Sequence, residues 1–208
     1  VGGGNMNIKE ALQKALEEKG KKKFLQSVEM IINFRGIDFS KPENKINMEV
    51  VLPDKGKKNQ VVFIGEDALV YELKKKMPDI KAMTLQEAEA VSVKELKKMA
   101  KRSVFYASPK IIGNVAKVWG KILGPRGKTP KPLINEKQLI QAKDMVILSM
   151  KGKALPTVQA LIGHENQSIE QLYENANTIL EAIKKKINQS NIKSIYFKLT
   201  MGKPVKVN

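Results

Sequence analysis

Gly124-Pro125-Arg126-Gly127-Lys128-Thr129 holds the residue types of a phosphate-binding loop, because Gly-Lys-Thr ends the pattern in which backbone amides and a lysine hold nucleotide phosphates. The spacing departs from that pattern. Its earlier glycine would stand at position 122, which is Ile122, and Pro130 with Pro132 obstruct the helix that should follow. A rigid cationic surface loop fits better, with glycines and prolines fixing Arg126, Lys128 and Lys131 toward a phosphate backbone. Other catalytic equipment is sparse. His164, in Gly163-His164-Glu165-Asn166, is the single histidine, and there is no cysteine. That composition excludes disulfides, thiolate metal sites and a conventional zinc set, and it identifies no partner for a catalytic dyad. Glu17 with Glu18 and Glu87 with Glu89 read as helix-surface charges. No enzyme, metal or cofactor is expected.

Charge supplies the positive indication. The 208 residues carry 38 Lys and Arg against 21 Asp and Glu, a net +17 whose field concentrates phosphate-bearing partners and makes their association salt-dependent. RNA, DNA and an anionic membrane surface all satisfy that field. Lysine runs at 21–23, 74–76 and 184–186 are ordinarily solvated faces, but their recurrence along the chain favours an extended polyanion. No basic helix with a broad apolar face argues for a membrane surface. At 5% aromatic residues the chain lacks the stacking platforms of single-strand binders, and it lacks the aromatic-rich consensus of an RNA-recognition-motif domain. Folded RNA, read through backbone, shape and 2′-hydroxyls, suits these residues best. With no apolar run long enough to span a bilayer and no basic-then-apolar leader, a soluble, unsecreted protein is expected.

Behind these residues, 42% hydrophobic content is enough for one large domain or two small ones. Residues 1–5 read as a flexible tail or cloning remnant, with Met6 as the native start. Ile8, Ala11, Leu12, Ala15 and Leu16 fall at helical spacing, and Gly20 stops the helix. Val28, Met30, Ile32 and Phe34 alternate as in a strand, and so do Ile46, Met48, Val50 and Leu52. At Val61-Val62-Phe63-Ile64 the texture changes to a continuous apolar run followed by a helical pattern, which suits a strand buried on both faces. Strands at 80–83 and 103–107 continue the strand-helix alternation, and Val146, Ile147, Leu148 and Met150 are expected to close the same sheet. Capping boxes are expected at Thr84 with Glu87, Ser92 with Glu95, Asn135 with Gln138, and Ser168 with Gln171; Ser108-Pro109 reads as an N-cap and first helical residue. This alternation favours a mostly parallel three-layer α/β domain. After Lys151-Gly152-Lys153 the texture returns to alternating strands (Val158, Ala160, Ile162; Ile195, Phe197, Leu199) around a helix from 168 to about 188. The economical reading is one domain assembled from both termini, 6–60 with 153–208, and a second inserted at 61–152.

Three stretches resemble a single family. Lys23-Phe24-Leu25-Gln26-Ser27-Val28-Glu29 on the first strand, Gly120-Lys121-Ile122-Leu123-Gly124-Pro125-Arg126-Gly127-Lys128-Thr129-Pro130-Lys131-Pro132, and Lys198-Leu199-Thr200-Met201-Gly202 are similar, in order, to large-subunit ribosomal protein L-one. The resemblance runs over residues 8–207. Leu-Gly-Pro-Arg-Gly is its most specific segment, and Lys41-Pro42-Glu43-Asn44 with Val50-Val51-Leu52-Pro53 looks like the archaeal branch.

The resemblance implies a discontinuous α+β terminal domain hinged to an inserted Rossmann-like domain. It implies binding of large-subunit ribosomal RNA at the mobile tRNA-exit stalk, help in releasing exit-site tRNA, and translational repression through the protein's own mRNA, all in the cytoplasm and none of it enzymatic. On the family pattern the RNA-contacting residues are Phe24, Ser27, Glu29, Thr200, Met201 and Gly202, with Lys23 and Lys198 neutralising phosphates. Arg126, Lys128, Lys131 and Lys203 are expected as secondary contacts. The family usually reads Met-Gly-Pro where this chain has Met201-Gly202-Lys203-Pro204, so a different turn is expected there. Taken one at a time and without the resemblance, Phe24 and Met201 read better as core residues with polar neighbours facing water; with it, the joint surface is the better reading. Two further readings stay open: a nucleic-acid-binding module held mainly by charge, and a nucleotide enzyme built on Gly127-Lys128-Thr129.

Overall fold

The structure, a computed structural model, describes residues 3–150 and 156–208. Helix α1 (Gly3–Ala15) buries Ile8, Ala11, Leu12 and Ala15 along one stripe, then tightens into a 3-10 turn at Leu16–Glu18. The helix starts before the expected tail ends. Glycine disfavours a helix by only about 1 kcal/mol per residue relative to alanine, so a helix anchored by the Ile8–Ala15 stripe can extend through Gly3 and Gly4. Val1 and Gly2, also assigned to the tail, lie outside the described residues.

Strand β1 (Ser27–Phe34) shows the predicted alternation: Val28, Met30, Ile32 and Phe34 are buried, and the residues between them are half-buried. It starts at Ser27, so Lys23 and Phe24 precede the strand rather than lie on it. Strand β2 (Asn47–Val51) follows a short 3-10 turn at Pro42–Asn44.

Strand β3 (Gln60–Ile64) opens a second unit, Lys58–Lys143, with its own core. After α2 (Asp67–Lys76) come β4 (Lys81–Met83), the short α3 (Leu85–Glu89), α4 (Val93–Ala100), β5 (Ser103–Ala107), α5 (Ile112–Leu123), β6 (Lys131–Pro132) and α6 (Lys137–Gln141). The four strands are parallel in the order β4-β3-β5-β6. Val62, Ile64, Phe105 and Ala107 pack with Leu96, Met99, Val115 and Trp119 of α4 and α5. Val61, Phe63, Val104 and Tyr106 are buried too, and the pleat turns them to the opposite face. Both faces are therefore dry, which is why these strands read as unbroken apolar runs.

Thr84 and Ser168 form reciprocal capping boxes with Glu87 and Gln171, and Ser92 accepts from the Glu95 amide. Ser108 does not cap α5, which begins at Ile112 after a turn; its hydroxyl instead donates to Glu66 Oε1 at 2.7 Å and holds that carboxyl below its ordinary pKa. Gln138 Oε1 accepts from the Asn135 amide as a capping box requires, but the helix starts one residue later, after Glu136.

The chain then returns to the first unit at Asp144. Strand β7 (Met145–Ser149) does not close the inserted sheet; it pairs antiparallel with β2, Met48 opposite Leu148. Ile147 is exposed between buried Val146 and Leu148, and Ser149 is exposed after Leu148, which suits a half-buried antiparallel strand and not a parallel one covered on both sides. The inserted sheet is completed instead by β6, an edge position where Pro132 needs no ladder amide. The inserted unit accordingly ends about nine residues before the expected 152; Lys151-Gly152-Lys153 lies outside the described residues. Strand β8 (Thr157–His164), α7 (Ile169–Lys184), β9 (Ile192–Leu199) and β10 (Val205–Lys206) complete the first unit, whose antiparallel sheet runs β10-β9-β1-β8. Its apolar face packs on Ile8 and Leu12 of α1 and on Leu172, Ala176, Ile179 and Ile183 of α7. The protein is thus α/β in two domains, a discontinuous α+β one and an inserted doubly wound one.

Candidate nucleic-acid interface

Register between β1 and β9 sets Val28 opposite Leu199 and Glu29 opposite Lys198, so the segments entering β1 and leaving β9 meet at one end of the sheet. They are joined by hydrogen bonds. The Thr200 amide donates to Ser27 O at 3.0 Å, the Ser27 amide donates to Thr200 Oγ1 at 3.1 Å, and the Gly202 amide donates to Leu199 O at 2.9 Å. The intervening Met201 amide donates to Gln26 Oε1 at 3.0 Å. All three amides of the turn are used inside the protein, so it offers a ligand oxygen acceptors and side chains. A Cβ on Gly202 would lie 3.2 Å from Leu199 Cβ, which keeps the turn tight.

On this scaffold Phe24 is 51% exposed, Leu25 50% and Met201 62%. They are not core residues. Three large apolar side chains held in water beside a cationic segment, Lys21 to Lys23, form a surface that needs an occupant more than scattered apolar residues do. Lys198 Nζ lies 3.4 Å from Glu29 Oε2 and donates to Thr200 O at 3.1 Å, so both charges are partly satisfied before any ligand arrives. Lys203 is exposed just beyond Gly202. The structure therefore brings together Lys23, Phe24, Ser27, Glu29, Lys198, Thr200, Met201, Gly202 and Lys203.

Two residues of this region carry no sign of their role in the sequence, although Gln26 stands within the first resembling stretch. Gln26 and Glu165 are 1% and 3% exposed. Glu165, in the loop after β8, accepts from the Gly20 amide at 3.0 Å and the Gln26 amide at 3.1 Å, and its own amide donates to Gln26 O at 2.9 Å. Exposed Leu25 was within the resembling stretch but was not singled out.

In the inserted unit the loop residues separate. Arg126 is exposed, its Nη1 donating to Ile122 O at 3.0 Å. Lys128 turns inward to donate to Ser103 O at 3.1 Å, and burial pushes its pKa down. Lys131 lies half-buried on β6, also lowered by burial. A lysine committed to Ser103 is not poised over a phosphate, so this geometry also speaks against the nucleotide-loop reading. The accessible cations lie elsewhere. Lys58–Lys143 carries 18 Lys and Arg against 8 Asp and Glu, +10 of the total +17. Because each helix must return to the start of the next parallel strand, the ends of α2, α4 and α5 gather at one pole. Lys97, Lys98, Lys101, Arg102 and Lys121 are exposed there, and among the described residues none of them is ion-paired. Their positions in or just after the last turn of α4 and α5 were the missed signal, although such positions also complement the helix dipole.

His164 is half-buried and its Nδ1 accepts from the Asn166 amide at 3.3 Å. Among the described residues no cluster of histidines and acids could hold a metal ion, and no helix is long and apolar enough to cross a membrane.

Comparison with known proteins agrees with the three resembling stretches. A profile described as the Ribosomal protein L1p/L10e family matches residues 13–203. The chain is 40% identical to the large ribosomal subunit protein uL1 of Thermofilum pendens, over 97% of this chain and 93% of that one. It is 34% identical to the uL1 protein of Thermococcus kodakarensis over 95% of each chain. Against that of Methanothermobacter thermautotrophicus it is 34% identical over 96% of this chain and 98% of the relative. These relatives are archaeal, as the Lys-Pro-Glu-Asn and Val-Val-Leu-Pro segments suggested, and the family is one of structural, non-enzymatic proteins. With a match that spans both units and includes the surface around Ser27 and Thr200, the chain belongs to the Ribosomal protein L1p/L10e family.

Proposed function

We propose that this protein is a structural constituent of the large ribosomal subunit. Its terminal domain binds large-subunit ribosomal RNA at the mobile tRNA-exit stalk and assists release of deacylated tRNA. It works in the cytoplasm, is a monomer off the ribosome, and represses translation by binding a similar fold in its own mRNA. The observation that carries this reading is the exposed Phe24, Leu25 and Met201, held by the Ser27–Thr200 hydrogen bonds beside a lysine run.

Each residue has a physical role. Phe24 and Met201 give apolar contact to ribose or base faces. Glu29 and Thr200 Oγ1 accept from 2′-hydroxyls or base amino groups, a donor-seeking surface suited to RNA because the 2′-hydroxyl is the donor that DNA lacks. Lys23 and Lys203 neutralise phosphates; Lys198 does so once RNA competes with Glu29 for it. Gly202 admits a backbone closely. The inserted domain adds looser phosphate contacts through Arg126 and the basic pole, and its motion about the two connections near 57–58 and 143–144 accompanies that of the stalk.

The competing reading, a general charge-driven module, differs in salt dependence. Phosphate contacts weaken steeply with salt, whereas base and ribose contacts survive screening. Affinities for stalk RNA and an unrelated duplex, titrated from about 50 to 200 mM salt, should diverge, with the preference for the stalk preserved. Equal loss for both RNAs would establish the charge-driven reading instead.

A further inference from the structure

The amide of Met201 lies in a turn with no strand partner, and left bare it would have to find water or collapse onto its own chain. It finds Gln26 Oε1 instead, a side chain that is itself 1% exposed. Gln26 in turn is fixed at its backbone by the Glu165 carboxylate, and the same carboxylate holds the Gly20 amide at the start of the lysine run. Gly20, Gln26 and Met201, which head the basic segment, the Phe24-Leu25 pair and the C-terminal turn, are thus joined through two buried polar side chains.

We propose that Gln26 and Glu165 are positioning residues for the RNA surface: they touch no RNA and act by holding Phe24, Leu25 and Met201 out in one fixed arrangement. This rests on the function proposed above. A buried carboxylate is a costly way to fix a loop unless its acceptors are used, and here its two oxygens accept from two separate amides. Glutamine at 165 could satisfy only one of them, because its amide nitrogen would face an N–H. Methionine at 26 would keep the length of the side chain and remove the acceptor. In both cases the apolar residues remain, but their relative placement loosens, and the ordering cost falls on RNA binding.

The test uses the full-length protein. Wild type, Gln26→Met and Glu165→Gln are each titrated with stalk RNA and with an unrelated duplex across salt, alongside thermal melts and hydrogen exchange at the Met201 amide. The expected result for Gln26→Met is about tenfold weaker stalk binding, the scale of one lost hydrogen bond. Duplex binding and the salt slope should stay unchanged, since no phosphate contact is lost, while Met201 exchange accelerates. Glu165→Gln should show the same pattern, and it decides the matter if Gln26→Met does not fold. Wild-type preference for the stalk with both variants within about threefold of it would overturn the positioning role alone. A uniform loss on both RNAs, tracking the melting temperature, would reduce the pair to structural residues and also overturn it. Absence of any wild-type preference would overturn the underlying function together with this proposal.

Discussion

A protein carrying Phe24→Ala and Met201→Ala together should bind stalk RNA about a hundredfold more weakly than wild type, on the basis of roughly 1–3 kcal/mol for a base stacked on the Phe24 ring and about 1 kcal/mol for the apolar contact of Met201. It should melt within a few degrees of wild type. Both side chains are more than half exposed, so neither contributes much to the core, and truncation removes little that folding depends on. Exposure is what separates the two explanations for these residues. Had they been core residues, the same substitutions would leave cavities and lower stability first, with binding falling as a consequence. Isothermal titration on stalk RNA paired with thermal melts checks the prediction. Unchanged affinity at unchanged stability would show that the surface lies elsewhere on the protein.

The second large effect concerns the inserted domain. Trp119 is 1% exposed, its ring meets Phe105 edge-on at 5.8 Å, and its Nε1 donates to Ala88 O at 3.1 Å. Trp119→Ala should destabilise that unit by about 3–5 kcal/mol, lowering its melting temperature by at least roughly 12 °C. The two units have separate cores, one built around Met30, Ile32 and Phe197 and the other around Phe105 and Trp119. Specific RNA binding by the terminal unit should therefore persist within about threefold above the temperature at which the inserted unit melts, while part of the salt-sensitive affinity disappears. Loss of stalk preference on melting of the inserted unit would assign specificity to the wrong domain.

Much of the fold was legible because burial imposes its period on the sequence. β1 alternates since one face meets the core, and β3 and β5 do not alternate since both faces do. β7 defeated that logic. Val146-Ile147-Leu148 reads as a continuous apolar run, yet Ile147 is exposed, and an exposed isoleucine in a half-buried strand is indistinguishable in sequence from one in a covered sheet. β6 was hidden differently: two residues ending in proline carry no strand signal, and only their place beside β5 makes them one. For the site, composition indicated a polyanion, and the resemblance supplied Phe24, Ser27 and Thr200. The roles of Gln26, inside the first resembling stretch, and of Glu165 were legible by neither route. Their partnership spans 139 residues, and a buried glutamine looks like any surface glutamine until the fold places a carboxylate against its amide. The inward turn of Lys128 is illegible for a related reason, because nothing local shows that its ammonium turns back to Ser103.

On the proposed function, uncharged and acidic residues around the Ser27–Thr200 pair, and not the net charge of +17, decide which RNA this protein holds. Sequencing the RNA that co-purifies with the protein from a native host lysate, washed at high salt, tests it most directly. Strong enrichment of the large-subunit stalk helices is expected with the wild-type protein and is lost with the Phe24→Ala/Met201→Ala protein. Recovery of cellular RNA in proportion to its abundance, equal for both proteins, would contradict it.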